Sequence, residues 1–267
     1  GLTLAAGTPV PVSAGFMPQS ITVDPASKYV YVTDSGSYLI SGYRIGVNGA
    51  LTPMNFGTLV TGQFPGQVVV SPNGKYVYVA SVAGISQYAI GPTGELTAVN
   101  NATDVPVGHG VNSMTLDPTN HYAYATGFQD NTVLQYTINA NGNLIPMSTP
   151  YVLTGPNRQP RTVAVDPSGQ YVYVSIGTGL NVVQQYSIGP GGGLVPMSTS
   201  EVASGIGPWD IAFDATGAHL YVTSESDSPS DLWQYTIGAG GGLTPMNPST
   251  RATGGSTSSL SIVTIFK

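Results

Sequence analysis

The stretch ITVDPASKYVYV, from Ile21 to Val32, decides the fold because it returns four more times along the chain. The later copies are VVVSPNGKYVYV from Val68, MTLDPTNHYAYA from Met114, VAVDPSGQYVYV from Val163 and IAFDATGAHLYV from Ile211. Their anchor residues Asp24, Ser71, Asp117, Asp166 and Asp214 are spaced 47, 46, 49 and 48 residues apart, so the chain is an array. Each copy leads into a second alternating segment (SGYRIG, SQYAIG, LQYTIN, QQYSIG, WQYTIG), then a Gly-rich turn, then LTPM, LTAV, LIPM, LVPM or LTPM.

Period-2 runs of Val, Tyr, Ile and Thr separated by DP, NG and GG turns give each repeat four short strands, A to D. In YVYV both alternating faces are apolar or aromatic, as expected of a sheet covered on both sides. Four-stranded sheets every 40 to 50 residues with no helical pattern between them read as blades of an all-β propeller, with a solenoid as the alternative. The repeats span about 16–62, 63–108, 109–155, 156–205 and 206–254, in a single domain. Residues 1–15 read as the outer strand and 255–267 as the inner strand of one split blade, which makes six blades or part of seven. On this reading two strands of the split blade are wanting, supplied either by an upstream segment or by another subunit.

Composition narrows the function. The chain has 267 residues, 13 acidic and 7 basic, a net charge of -6 and no Lys/Arg cluster, so the positive field that nucleic acid requires is missing. There is no cysteine, which removes thiol catalysis and thiolate metal sites, and no apolar run approaches a membrane span. Charged residues make up only 7%, against roughly 25% in an average soluble domain, so the surface is built from Ser, Thr, Asn, Gln and Gly.

The DPxGxYVYV repeat with its downstream GxLTPM resembles the YVTN-type, lactonase-like β-propeller family, which includes 6-phosphogluconolactonases and muconate-cyclising enzymes. The resemblance covers essentially the whole chain. It implies the propeller fold, while any activity has to be argued from the site.

In a propeller the A strands line the channel, and the loops entering them form a rim where small ligands bind. Five residues before each anchor stand Gln19, Gly66, Asn112, Arg161 and Trp209, with Ser258 or Ser259 as the sixth. Arg161 is suited to a carboxylate, Trp209 to stacking, and Asp210 stands beside it. Gln19, Asn112, Arg158, Arg161, Trp209 and Asp210 are therefore the ligand-binding candidates. For hydrolysis, a base is needed. His109, the one histidine expected near the rim, and Glu201, expected with Arg158 in connections feeding it, join Arg161 as catalytic candidates.

Asp24, Asp117 and Asp166 precede Pro in turns and read as caps of backbone N–H groups, not as metal ligands. His121 and His219 fall at those same turns or on the B strands. The acidic SESDSPSD segment, with Glu225, Asp227 and Asp231, reads as a solvated loop, and Asn101-Ala102-Thr103 is a glycosylation sequon relevant only to an exported chain. No metal or cofactor is expected.

Three functions follow as expectations. The first is a non-catalytic extracellular or cell-surface module, structural or adhesive, that self-assembles as a homo-oligomer or head-to-tail polymer through open terminal strands, since a charge-poor surface is easily buried. The second is a lactonase or cycloisomerase, with Arg161 holding a substrate carboxylate and His109 or Glu201 as base. The third is a propeller that binds a small polar ligand at the rim without chemistry.

Overall fold

The computed structural model describes residues 17–55, 59–99, 110–178, 180–224 and 231–252. The terminal segments expected to share one blade, the sequon and Ser258 and Ser259 lie outside these residues, as do Glu225, Asp227 and the side chain of Asp231. The described residues form strands and turns, with a single 3-10 turn at Pro190–Gly192, and among them no helix is long and apolar enough to cross a membrane.

Five antiparallel sheets follow the five repeats. The first orders β1 (Pro18–Val23), β2 (Tyr29–Asp34), β3 (Leu39–Ile45) and β4 (Leu51–Pro53), with β5 (Leu59–Val60) also paired to β3. The second orders β6 (Val68–Val70), β7 (Tyr76–Ser81), β8 (Gly84–Ile90) and β9 (Leu96–Ala98). The third runs β10 (Val111–Leu116), β11 (Tyr122–Gly127), β12 (Thr132–Ile138) and β13 (Leu144–Leu153). The fourth comprises β14 (Pro160–Val165), β15 (Tyr171–Ile176), β16 (Val182–Ile188) and β17 (Leu194–Ala203). The fifth comprises β18 (Pro208–Phe213), β19 (His219–Ser224), β20 (Asp231–Ile237) and β21 (Leu243–Ala252). This is the β-propeller arrangement of four-stranded blades that the repeats anticipate.

The chain divides into two compact units, residues 1–112 with 138–144, and residues 113–137 with 145–267. In the first, Tyr31, Ile40, Val68, Val77, Val79, Tyr88 and Leu96 form a buried core. In the second, one core joins Tyr124, Val163, Val172, Val174 and Tyr186, and another joins Tyr173, Phe213, Leu220, Val222 and Tyr235. The second strand of each of the first four sheets is buried from its second residue onward, as expected of YVYV strands covered on both faces.

Three side-chain devices explain the repeating letters. First, the anchor carboxylate closes the turn between the first two strands. In Asp166, Oδ1 accepts from the backbone N–H of Gln170 (2.9 Å) and Tyr171 (2.8 Å), while Oδ2 accepts from that of Ser168 (3.1 Å). Asp24 and Asp117 do the same, Asp214 Oδ1 accepts from the N–H of Ala218 and His219, and in the second repeat the Ser71 hydroxyl accepts from the N–H of Tyr76. These acceptors serve the backbone, which is the turn-capping role read from the sequence.

Second, the two tyrosines of YVYV grip the Gly-rich turn of the next sheet. Within the second unit, Tyr124 donates to the carbonyl of Gly192 (2.6 Å) and Tyr173 to that of Gly241 (2.6 Å). Gly192 has φ +87°, and a Cβ there would come within 2.3 Å of the Tyr122 ring. Both the left-handed backbone and the ring contact therefore require glycine. The first unit repeats the grip with Tyr31 on Gly94 and Tyr78 on Gly142, which is why the hairpin turn 138–144 belongs to that unit.

Third, the Gln of the QY segment accepts from the first N–H of the next sheet's outer strand. The pairs are Gln87 with Leu144 (2.8 Å), Gln135 with Leu194 (2.6 Å) and Gln185 with Leu243 (2.7 Å). Each bond satisfies a buried donor that would otherwise lie at a sheet margin.

Candidate functional site

The first strand of a sheet starts, and the second ends, at the end of the blade away from these turns. Here three of the sheets carry a β-bulge, and each bulge holds a residue singled out by its spacing from the anchor. Pairing shifts between Pro18 and Ser20 around Gln19, between Pro160 and Val163 around Arg161, and between Pro208 and Ile211 around Trp209 and Asp210. A bulge turns side chains out of the ladder alternation, which suits a site.

In the second unit the structure brings Arg161 and Trp209 together. The Arg161 guanidinium carbon lies 4.3 Å from the centroid of the Trp209 ring and 5.1 Å from that of Phe128, both within cation–π range. Trp209 therefore stacks on the arginine. Backbone bonds fix this register, because Thr126 Oγ1 donates to the Arg161 carbonyl (3.2 Å) and Thr162 Oγ1 to the Trp209 carbonyl (2.7 Å). Asp210, on the same bulge as Trp209, accepts from the N–H of Ile211 at Oδ1 (2.9 Å), and its own N–H donates to Thr223 Oγ1 (3.1 Å). Arg161, Trp209, Asp210 and Phe128 are all half-buried.

Arg158 and Glu201 also meet, but elsewhere. Arg158 lies on the connection between β13 and β14, and its Nη1 forms an ion pair with Glu201 Oε1. Glu201 does not occupy a connection, as expected from the sequence; it lies within β17, opposite Gln184 of β16. The outer strand is longer than its sequence announces, because the polar run Ser198–Thr199–Ser200 continues the ladder on an exposed edge where no apolar alternation is needed. Gln184 donates to Glu201 Oε1 (3.2 Å) and to the Thr154 carbonyl (2.9 Å), and accepts from the Tyr186 hydroxyl (2.9 Å). Burial, followed by the Glu201 charge, pushes the Tyr186 hydroxyl up to about 12.

The other candidates are placed as follows. His109 lies outside the described residues. Gln19 and Asn112 belong to the first unit, where Gln19 Nε2 donates to Ser35 Oγ (3.2 Å) and the Asn112 side chain is exposed. In that unit Gly66 sits where a Cβ would meet the Asn112 carbonyl at 3.1 Å. His121 and His219 sit at the opposite end of their sheets from Arg161 and Trp209. His219 Nδ1 is 3.1 Å from Asp214 Oδ2, and although burial opposes it, hydrogen bonds from Thr216 and His219 hold the Asp214 carboxyl well below its usual range. A cavity of about 370 Å³ in the first unit, lined by Arg44, Thr52, Met54, Thr93 and Glu95, contains none of the candidates. Among the described residues, no three His, Asp or Glu side chains converge as they would around a metal ion.

Phe128 is the member that sequence reasoning missed. It holds the first position after the second strand, where the preceding and following repeats carry Ser35, Val82 and Gly177, so no repeat pattern marks it. A large residue followed one repeat later by glycine, beside a rim arginine, is the only trace it leaves.

Repeated four-stranded antiparallel blades define a β-propeller. The family described as lactonase, 7-bladed beta-propeller matches residues 80–259, and the chain belongs to it. A 6-phosphogluconolactonase of Yersinia enterocolitica is 27% identical over 159 residues, 58% of this chain and 46% of that protein, so the chain spans about half the length of this curated relative. Among solved structures, the periplasmic gluconolactonase of Pseudomonas aeruginosa superposes with a TM-score of 0.77 at 19% identity, covering 90% of this chain and 73% of that one. A putative 6-phosphogluconolactonase of Bacteroides fragilis gives 0.76 at 20% identity, covering 89% and 71%. These two likenesses establish the fold.

The comparisons overturn the expected non-catalytic structural or adhesive role. Membership of a lactonase family, with relatives named as lactonases, points to enzymatic chemistry instead. The inference from a charge-poor surface failed because average composition says little about a local site. In the second unit, Arg161 and Asp210 stand on the bulges, while Arg158 and Glu201 form an ion pair away from them.

Proposed function

We propose that the chain supplies the catalytic face of a lactone hydrolase, acting on a sugar-acid lactone that carries an anionic group. Hydrolysis adds water across the ring ester: the water oxygen bonds to the carbonyl carbon, the ring C–O bond breaks, and the released oxygen takes a proton. Arg161 is the group that holds the anion, since a guanidinium set in place before the ligand arrives binds oxyanions at little ordering cost. Asp210, on the bulge next to Trp209, is the carboxylate suited to accept a proton from the attacking water. The observation that carries this reading is the fixed contact of Arg161 with Trp209 and Phe128 at the bulged end of the second unit.

A pH-stat assay on the 6-phosphate of glucono-δ-lactone, with the neutral parent lactone as the comparison, tests it. Turnover of the phosphorylated lactone above spontaneous hydrolysis is expected, its kcat/KM falling about a hundredfold in Arg161→Ala. Turnover absent from the wild-type chain, or unaffected by that substitution, contradicts it. Arg161 also serves binding without chemistry, and a saturable change in Trp209 fluorescence with gluconate in the absence of turnover would favour that second reading.

A further inference from the structure

We infer that Phe128 is a positioning residue: together with Trp209 and the bare backbone of Gly177, it fixes the guanidinium of Arg161 in the orientation that receives the anionic group of the substrate. This rests on the reading of Arg161 as the anion-holding group.

Three successive sheets contribute. The third gives Phe128, the fourth gives Arg161 and Gly177, and the fifth gives Trp209. Phe128 and Gly177 occupy the same repeat position, each the first residue after its second strand, where the first two sheets carry Ser35 and Val82. Where the third sheet places a ring, the fourth places nothing. A Cβ on Gly177 would stand 2.8 Å from both Cγ and Nε of Arg161, closer than real contacts allow, so the stem of the arginine runs across this glycine. The guanidinium reaches both rings from there. The Gly177 backbone itself needs no left-handed conformation, which leaves room for the arginine stem as the reason for glycine at this position.

The backbones carrying the three side chains are locked to one another. Thr126, two residues before Phe128, donates to the Arg161 carbonyl, and Thr162, the residue after Arg161, donates to the Trp209 carbonyl. The spacing from ring to cation to ring is therefore set by the sheets and not by the long arginine stem. An arginine left to itself samples many rotamers, and the ligand would have to order it on binding; two aromatic faces remove that burden beforehand. Phe128 acts through Arg161 and touches no reacting atom, so its loss weakens ground state and transition state alike. The expected mark is a raised KM with kcat nearly unchanged.

The test uses the whole chain. The sequence has four arginines, Arg44, Arg158, Arg161 and Arg251, so the Nε–Hε resonance of Arg161 can be assigned in a heteronuclear spectrum by its disappearance in Arg161→Lys. In the wild type it is expected to be resolved and displaced by the ring currents of the two aromatics. In Phe128→Leu it moves toward the position of an exposed arginine, and KM for 6-phosphogluconolactone rises about fivefold to tenfold while kcat changes less than twofold. Phe128→Tyr, which keeps the ring, retains both wild-type values. Gly177→Ala moves the resonance from the other side by crowding the stem, and gives a second reading should Phe128→Leu fold poorly. An Arg161 resonance that stays in place in both Phe128→Leu and Gly177→Ala overturns the inference. A resonance that moves as expected in a chain that hydrolyses no lactone leaves the positioning role standing and removes the hydrolase reading alone.

Discussion

The two ends of each blade in the second unit obey different rules. At the turn end, Tyr124 on Gly192 repeats Tyr173 on Gly241 almost atom for atom, and Asp117, Asp166 and Asp214 cap their turns with the same bonds. At the bulged end no two sheets agree. One offers Phe128, the next Arg161 over Gly177, the next Trp209 with Asp210, and the cation–π contacts of Arg161 are made there. Repetition marks the parts that hold sheets together, and departure from repetition marks the parts free to carry chemistry. The comparison implies that substitutions at the turn end cost stability, while those at the bulged end cost activity.

The largest test of that division is alkaline. Burial raises the hydroxyls of Tyr31, Tyr78, Tyr124 and Tyr173 well above the ordinary tyrosine range. A group whose folded pKa is raised contributes its stability fully below the unfolded value near 10 and loses it as pH climbs toward the folded value. One pH unit above the ordinary value this amounts to about 1 kcal/mol per tyrosine, or roughly 4 kcal/mol for the four grips together. Urea midpoints should therefore fall steeply between about pH 10 and pH 12. A flat profile would mean that these grips do not hold the sheets.

Next in size is Gly192→Val, which forces a β-branched residue into a left-handed conformation and against the Tyr122 ring; about 3 kcal/mol or more should disappear from the unfolding free energy. The smallest expected effect is Glu201→Gln. Its ion pair with Arg158 has side chains 26% and 30% exposed, so less than about 1 kcal/mol should be lost, and turnover should hold because Glu201 lies in the outer strand β17, away from the bulge that carries Arg161. A tenfold fall in turnover would return Glu201 to the site.

The same division explains what the sequence made legible. YVYV, the Asp turn, QY and the Gly-rich turn are each required by a bond repeated between neighbouring sheets, so they recur in the letters and the blades follow from them. Spacing from the anchor also located Arg161 and Trp209, because the bulge sits at a fixed distance from the turn. Phe128 was invisible for the opposite reason: its position follows the strand, where nothing repeated constrains the residue. Glu201 was misplaced into a loop because an outer strand with one exposed edge needs no hydrophobic alternation, and β17 runs on through polar residues to Ala203.

The most direct test of the central claim is to follow lactone turnover and thermal unfolding side by side in Arg161→Ala and Tyr173→Phe. Arg161→Ala should melt within a degree or two of the wild type and lose about a hundredfold in kcat/KM. Tyr173→Phe, which removes the donor to Gly241, should lose about 1 kcal/mol of stability and keep its turnover. An Arg161→Ala chain that hydrolyses lactone at the wild-type rate would contradict the assignment of function to the bulged end.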